Sequence, residues 1–418
     1  MQIDNFNQQL LDFLQNSPTP FHATLSLEKE LKEAGFTLLK EADVWNLSLG
    51  EKYYVTRNDS SLIAFVYGSN LIEKGLMMVG AHTDSPALKL KPNTIIHKKG
   101  YIQLGVEVYG GALLNPWFDR DLSLAGRVSG LNAQGDLVHE LINFKRPIAL
   151  IPSLAIHLDK DANKNRTINA QTDIPPILMQ SEEEISFTEI LIKESGLKEV
   201  LDFELLFYDT QKPAFVGFNN DFLASARLDN LLSCYVGLQA IKEASSSQGA
   251  LLICSDHEEV GSESTSGAGG TFLQSVLQRI SPHHEDYARM VNASMMISAD
   301  NAHGVHPNFI AKHDENHGPL LNHGPVIKIN ANQRYASNSQ TVSAFKLLCK
   351  KADVSYQSFV TRTDMGCGST IGPITATKIG VKTLDIGLPT FAMHSIRETA
   401  GYKDAYDLYK VLKVYFNQ

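Results

Sequence analysis

Cysteine is scarce in this chain. Four occur in 418 residues (Cys234, Cys254, Cys349 and Cys367), and no two form a C-x-x-C pair. That spacing argues against a disulfide framework or a zinc ribbon and suits a reducing cytosol. Cys234 and Cys254 stand among apolar neighbours and read as core thiols. Long apolar runs are missing as well, since none reaches the ~18 to 20 residues that span a bilayer. The start, Met1-Gln2-Ile3-Asp4-Asn5-Phe6, lacks the basic residues and apolar block of a signal peptide. A cytoplasmic protein with no membrane partner is expected. Positive charge is in deficit: 37 Lys and Arg against 46 Asp and Glu leave a net of −9, which argues against nucleic acid as a partner. No internal repeat or low-complexity tract is visible. What remains is ordinary for a globular protein of one large or two medium domains.

The pattern along the chain divides in two. Asp4 is placed to cap an amphipathic helix carrying Phe6, Leu10, Phe13 and Leu14, which Ser17-Pro18-Thr19-Pro20 stops. Apolar runs at 61–67 and 75–80 read as buried strands. From about Asn93 to about Asn220 short runs dominate, at 101–109, 126–128, 137–142 and 201–208, separated by Gly, Pro and Asn. A polar stretch (159–172) and one helix capped at Ser181 interrupt them. After Asp221 helices (221–244, 270–280) alternate with apolar strands (250–254, 293–298). The expectation is an α/β catalytic domain, residues 1–92 and 221–418, interrupted by a β-rich insertion, residues 93–220.

Chemistry concentrates where apolar runs end. Leu251-Leu252-Ile253-Cys254 leads into Asp256-His257-Glu258-Glu259. Two adjacent carboxylates behind a buried strand repel each other, and a divalent cation relieves that by binding one of them. The other is then available to move protons. An isolated Glu-Glu pair is usually a solvated turn, but this pair has company. His82 and Asp84 share one side of an extended segment, so the carboxylate can orient the imidazole. Asp229 interrupts an apolar helical stretch, Asp300 follows the strand at 293–298, and His394 follows another apolar run. Singly, each is more often a cap or a satisfied polar group. Together His82, Asp229, Glu259, Asp300 and His394 make five ligands, enough for two ions sharing one bridging carboxylate. Imidazole and carboxylate without thiolate suit Zn²⁺, with Co²⁺ or Mn²⁺ as alternatives.

These residues lie in segments that resemble the aspartyl aminopeptidases, from one end of the chain to the other. The matching segments include Ser17-Pro18-Thr19-Pro20-Phe21-His22, Ala81-His82-Thr83-Asp84-Ser85, Arg227-Leu228-Asp229-Asn230 and the Glu258-Glu259 pair. Further on come Ser298-Ala299-Asp300-Asn301, Gln333-Arg334-Tyr335-Ala336, Gly368-Ser369-Thr370-Ile371-Gly372-Pro373 and Met393-His394-Ser395-Ile396-Arg397-Glu398. The resemblance implies a phosphorylase/peptidase-like α/β sandwich whose inserted β-rich domain serves dimerisation, in a homododecamer built from dimers. It implies Asp229 as the bridge, His82 with Asp300 on one ion, and Glu259 with His394 on the other. Glu258 is then the general base and Asp84 the support of His82. Lys328, His303 and Tyr335 are implied substrate contacts, and His157 one that reaches a neighbouring subunit. Most of His306, His313, His317 and His323 read as rim or surface residues. The implied reaction removes Asp, or Glu, from the free N-terminus of peptides. Competing expectations are a same-scaffold enzyme preferring hydrophobic N-termini, a deacylase or carboxypeptidase, or an inactive metal-binding interaction protein.

Overall fold

The apolar runs around the candidate residues become the central strands of one sheet. The structure, a computed structural model, describes residues 1–245, 247 and 249–418. The chain forms two compact units: residues 1–84, 213–393 and 398–418 make the first, and residues 85–212 with 394–397 the second.

The first unit is built on a nine-stranded sheet. Its spatial order is Thr37–Leu38, Lys52–Arg57, Ser61–Val66, Ala250–Ser255, Met77–His82, Met295–Ala299, Lys382–Gly387, Val326–Lys328 and Gln357–Phe359. The four strands from Ala250–Ser255 to Lys382–Gly387 are parallel neighbours. Alternation sends side chains to two faces. Tyr54, Leu62, Ala64, Val79, Leu252 and Ile297 join a core with helices Ile3–Asn16, Pro20–Glu33, Leu228–Lys242, Ser339–Ala352 and Asp404–Phe416. Tyr53, Ile63, Phe65, Met78, Leu251 and Met296 join the other, with helices Phe272–Ile280 and His284–Ala293. Helices on both faces of a largely parallel sheet are the α/β arrangement expected from the alternating pattern. Each large side chain in these cores contributes about 1.5 to 3 kcal/mol. Leu228–Lys242 lies deepest and is buried along its length. Gly237 lets it approach the sheet, because a Cβ there would come within 2.6 Å of Leu252.

A smaller five-stranded sheet in the same unit orders Ala214–Val216, Phe222–Ser225, Glu398–Gly401, Pro389–Phe391 and Ala302–His303. The second unit carries a six-stranded sheet whose neighbours are all antiparallel: Leu137–Asn143, Leu122–Leu131, Glu199–Asp209, Ala87–Lys98, Tyr101–Tyr109 and Ile177–Gln180. Its core gathers Leu88, Leu104, Val106, Trp117, Leu124 and Phe207, capped by Phe187 and Leu191 from the helix Phe187–Ser195. Among the described residues no helix is long and apolar enough to cross a membrane.

Three local expectations are corrected. Asp4 lies in the first turn of Ile3–Asn16 but caps nothing there; its carboxylate accepts the Tyr402 hydroxyl instead. The helix expected from Ser181 starts later, capped by Ser186 through the Glu189 N–H. Residues 222–225 are a strand and not the start of a helix, because Phe222-Leu223-Ala224 pair with Glu398–Gly401 before the chain turns into Leu228–Lys242. A fourth element, Pro20–Glu33, has Thr19 as its N-cap: the Pro that stops one helix opens the next.

Candidate metal centre

Three parallel strands deliver their carboxyl ends side by side. His82 is the last residue of Met77–His82, Asp256 to Glu259 follow Ala250–Ser255, and Asp300 follows Met295–Ala299. Asp229 arrives from the start of Leu228–Lys242, where Asp229 and Asn230 depart from helical geometry and their peptide is cis. Open α/β sheets bind ligands at such strand ends. Arg227 (φ 60°) and His257 (φ 63°) are left-handed residues beside candidate ligands, a backbone cost of order 1 to 3 kcal/mol each that clusters at functional sites.

The buried His82 ring is the hub. Its Nε2 lies 3.4 Å from Asp229 Oδ1, 3.5 Å from Asp300 Oδ1 and 3.9 Å from Glu258 Oε2. Its Nδ1 lies 3.1 Å from the Asp84 carbonyl oxygen and 3.3 Å from Asp84 Oδ1. One atom each from His82, Asp229 and Glu259 falls within a mutual 4.8 Å, close enough for the three to share one metal ion. Asp84 is fully buried and orients more than the imidazole: Oδ1 accepts the Glu258 N–H and Oδ2 the Glu259 N–H, each at 3.1 Å. Asp229 is fixed from behind, its N–H donating to Glu398 at 2.9 Å, while Asn230 Nδ2 donates to the Ala299 carbonyl at 2.9 Å. Lys328 donates to Asp300 Oδ2 at 3.3 Å and to the Asn301 carbonyl at 2.7 Å.

The electrostatics describe a cluster short of positive charge. Burial disfavours the His82 imidazolium, yet the hydrogen bonds it donates to Asp229, Asp300 and Asp84 outweigh it and raise the pKa well above the ordinary value. Burial pushes Glu258 up to about 7, with Asp300, Asp229 and Asp84 adding to the shift and His82 opposing it. Burial also acts on Asp300, but the charges of Lys328 and His82 win and hold its carboxyl well below the usual range. The donor set fits a divalent cation. Once the ring gives up a proton to a metal, an Nδ1–H held at Asp84 leaves the lone pair on Nε2, which faces the carboxylates of Asp229 and Asp300.

The remaining candidates are placed as follows. Lys328 is buried in an interior strand, not an edge one, and its ammonium stands 5.3 Å from the centre of the Tyr335 ring. His303 and Tyr335 line a cavity of about 300 Å³ with Phe359, Met365, Cys367 and Phe391. His306 and His313 line the same cavity, whereas His317 is bound to Asp314 at 2.6 Å. His394 (φ 68°) belongs to the second unit, where Nδ1 donates to the Gly111 carbonyl at 3.1 Å. His157 is exposed in that unit, between Leu154 and Leu158, which are exposed too. Sequence reasoning missed Glu398 as the anchor of Asp229 and Asn301 as a buried amide beside Asp300 whose Oδ1 and Nδ2 find no hydrogen-bond partner among the described residues. Glu398 gave no local signal, since it opens the short strand Glu398-Thr399-Ala400-Gly401, which carries no apolar run.

A sheet with an imidazole and several carboxylates gathered at its parallel strand ends defines a metal-dependent hydrolase. The comparisons with known proteins narrow this. The profile of the family described as Aminopeptidase I zinc metalloprotease (M18) matches residues 13–416, and the chain belongs to that family. A "Probable M18 family aminopeptidase 2" of Stutzerimonas stutzeri is 57% identical over 99% of this chain and 98% of its own length. Ape4, in a cryo-EM structure of the Ape4 and Nbr1 complex, superposes with TM-score 0.96 at 38% identity, over 99% of this chain and 86% of that one. One chain of the S. cerevisiae mApe1 dodecamer superposes with TM-score 0.87 at 27% identity, over 99% of this chain and 96% of that one. The protein is an M18 metalloaminopeptidase with an α/β core.

Proposed function

We propose that this enzyme removes single N-terminal residues from peptides with two divalent ions, Zn²⁺ first among the candidates, held by His82, Asp229, Glu259, Asp300 and His394. The observation that carries the reading is Glu258. Its carboxylate stands 3.9 Å from His82 Nε2, beside the ligand cluster, and in the metal-free site burial pushes its pKa up to about 7, within the range of a general base. Bound ions supply Lewis acidity and lower the pKa of water. The chain's part is to hold and move protons. Glu258 takes the proton of the attacking water and returns it to the departing amine, while Asp84 keeps Glu258 and His82 in register. The resemblance also supports assembly as a dodecamer, as in mApe1, with residues 93–220 forming dimer contacts, His157 acting on a neighbour, and a cytoplasmic location.

Which N-terminal residue is removed has two readings. The acidic reading rests on the resemblance and on Lys328. A hydrophobic preference is favoured by a specific observation: the Lys328 ammonium is already engaged by Asp300 and Asn301, and much of the cavity wall is apolar. A panel of Asp, Glu, Leu and Met p-nitroanilides, run on chelated and then metal-reloaded enzyme, tests both levels. No turnover on any substrate after reloading overturns the aminopeptidase mechanism. The rank order decides the specificity.

A further inference from the structure

Asp385 is a fully buried carboxylate in the strand Lys382–Gly387 that the proposed chemistry does not use. Its two oxygens serve two different segments. Oδ2 accepts the Ala336 N–H at 2.7 Å, directly after Tyr335. Oδ1 accepts the Thr370 hydroxyl at 2.6 Å, two residues after Gly368. The backbone of Asp385 repeats the first attachment, its N–H donating to Ser337 Oγ at 3.0 Å and its carbonyl accepting from that hydroxyl at 3.3 Å. Thr370 is also the N-cap of Ile371–Ile379, so the carboxylate sits at a helix N-terminus, where negative charge is favoured. Gly372 is bare because of it: a Cβ there would lie 2.3 Å from each carboxylate oxygen. Burial raises the Asp385 pKa despite the Thr370 and Ala336 hydrogen bonds.

The two segments end in the same place. Tyr335 on one, and Cys367 and Gly368 on the other, face the cavity of about 300 Å³ that His303 also lines. Sheet hydrogen bonding holds neither segment, since both lie outside the strands. We infer that Asp385 is a positioning residue that clamps the 335–337 and 367–370 segments at a fixed separation and thereby sets the width of the pocket that receives the substrate's N-terminal side chain. The inference rests on the reading of this cavity as the substrate pocket. A carboxylate suits the task because it is an acceptor at both ends, whereas each segment offers a donor. An Asn keeps one acceptor, and the Thr370 hydroxyl can rotate to receive its amide, so Asp385→Asn is the mild member of a series. An apolar residue leaves two buried donors unmatched.

The test uses the metal-loaded full chain, the p-nitroanilide panel and a metal assay. Thr370→Val cuts one arm of the clamp and should raise KM about tenfold or more while kcat stays within about threefold. Tenfold corresponds to ~1.4 kcal/mol, the scale of one charge-assisted hydrogen bond. Thr370→Ser should restore KM to within about twofold, Asp385→Asn should fall between them, and metal content should match the unmutated enzyme throughout. If Asp385→Ala does not fold, the Thr370 pair still decides. An unchanged KM in Thr370→Val, or a parallel loss of kcat, KM and metal, overturns the clamp. An unmutated enzyme inactive on every substrate overturns the functional reading instead.

Discussion

Replacing Asp84 with Asn is the most informative single perturbation of the site. The Asp84 carboxylate does three things at once: it receives the N–H groups of Glu258 and Glu259 and stands 3.3 Å from His82 Nδ1. Asn has one acceptor oxygen where Asp has two. Whichever way its amide turns, one backbone N–H on the Glu258-Glu259 segment meets an NH₂ instead of an oxygen. The loss of one hydrogen bond to a charged group, with its donor left buried, is about 1.5 to 3 kcal/mol. That loss falls on ligand placement, so metal affinity should drop about 10- to 100-fold, the usual range for a residue that orients a metal-bound imidazole. Competition with a chromophoric chelator measures the affinity, and circular dichroism checks the fold. At saturating metal, part of the lost kcat/KM should return. A variant that folds and binds metal as tightly as the unmutated chain would falsify the orienting role.

The other expectations are briefer. Glu258→Gln should retain metal and lose at least ~10²-fold in kcat, the contribution of a general base; full activity would remove Glu258 from that role. Lys328→Met should destabilise the metal-free protein, because Asp300 loses its buried partner, at a cost of about 3 to 5 kcal/mol, and should depress Asp and Leu substrates alike; a loss confined to acidic substrates would make Lys328 the acid reader. Its carboxylate neighbours raise the His82 pKa and so favour the protonated ring before metal arrives; metal uptake should therefore release protons and tighten as pH rises. Calorimetry in buffers of different ionisation enthalpy reads this, and zero release refutes it. Burial pushes Asp404 up to about 7, although the Asn322 and Gly324 N–H groups hydrogen-bond its carboxylate. Its folded pKa lies above its unfolded value, so its contribution is full below about pH 4 and is lost as pH rises through about 7, at up to ~1.4 kcal/mol per unit. Asp404→Asn should flatten that slope in urea midpoints, and an equal offset at every pH would refute the assignment.

The strands bearing the site were legible because apolar runs that end abruptly in His, Asp or Glu carry both the burial and the chemistry in one short window. His82, Asp300 and Glu259 were visible for that reason. The strand at 222–225 was not, since Phe222-Leu223-Ala224 runs without a break in hydrophobicity into the helix behind it. Pairings that join distant segments were hidden for a different reason. Nothing local in Val326-Ile327-Lys328 says that its ammonium belongs to Asp300, and nothing in Lys382–Gly387 says that Asp385 holds Ala336 and Thr370. Those choices are made by sheet order, where Val326–Lys328 and Met295–Ala299 flank Lys382–Gly387.

The sheet order also has a consequence for biosynthesis. Met77–His82 lies between Ala250–Ser255 and Met295–Ala299, so both neighbours of the strand carrying His82 are made long after it. At ~5 to 20 residues per second, ribosomes need roughly 10 to 40 s to add the chain between His82 and Asp300. During that interval the nascent polypeptide carries His82 and Asp84 without their carboxylate companions, and two such groups on an open strand grip a metal ion weakly. Metal choice is therefore deferred until the central strands have closed, when the finished cluster, and not the emerging chain, selects from whatever ions the cell supplies.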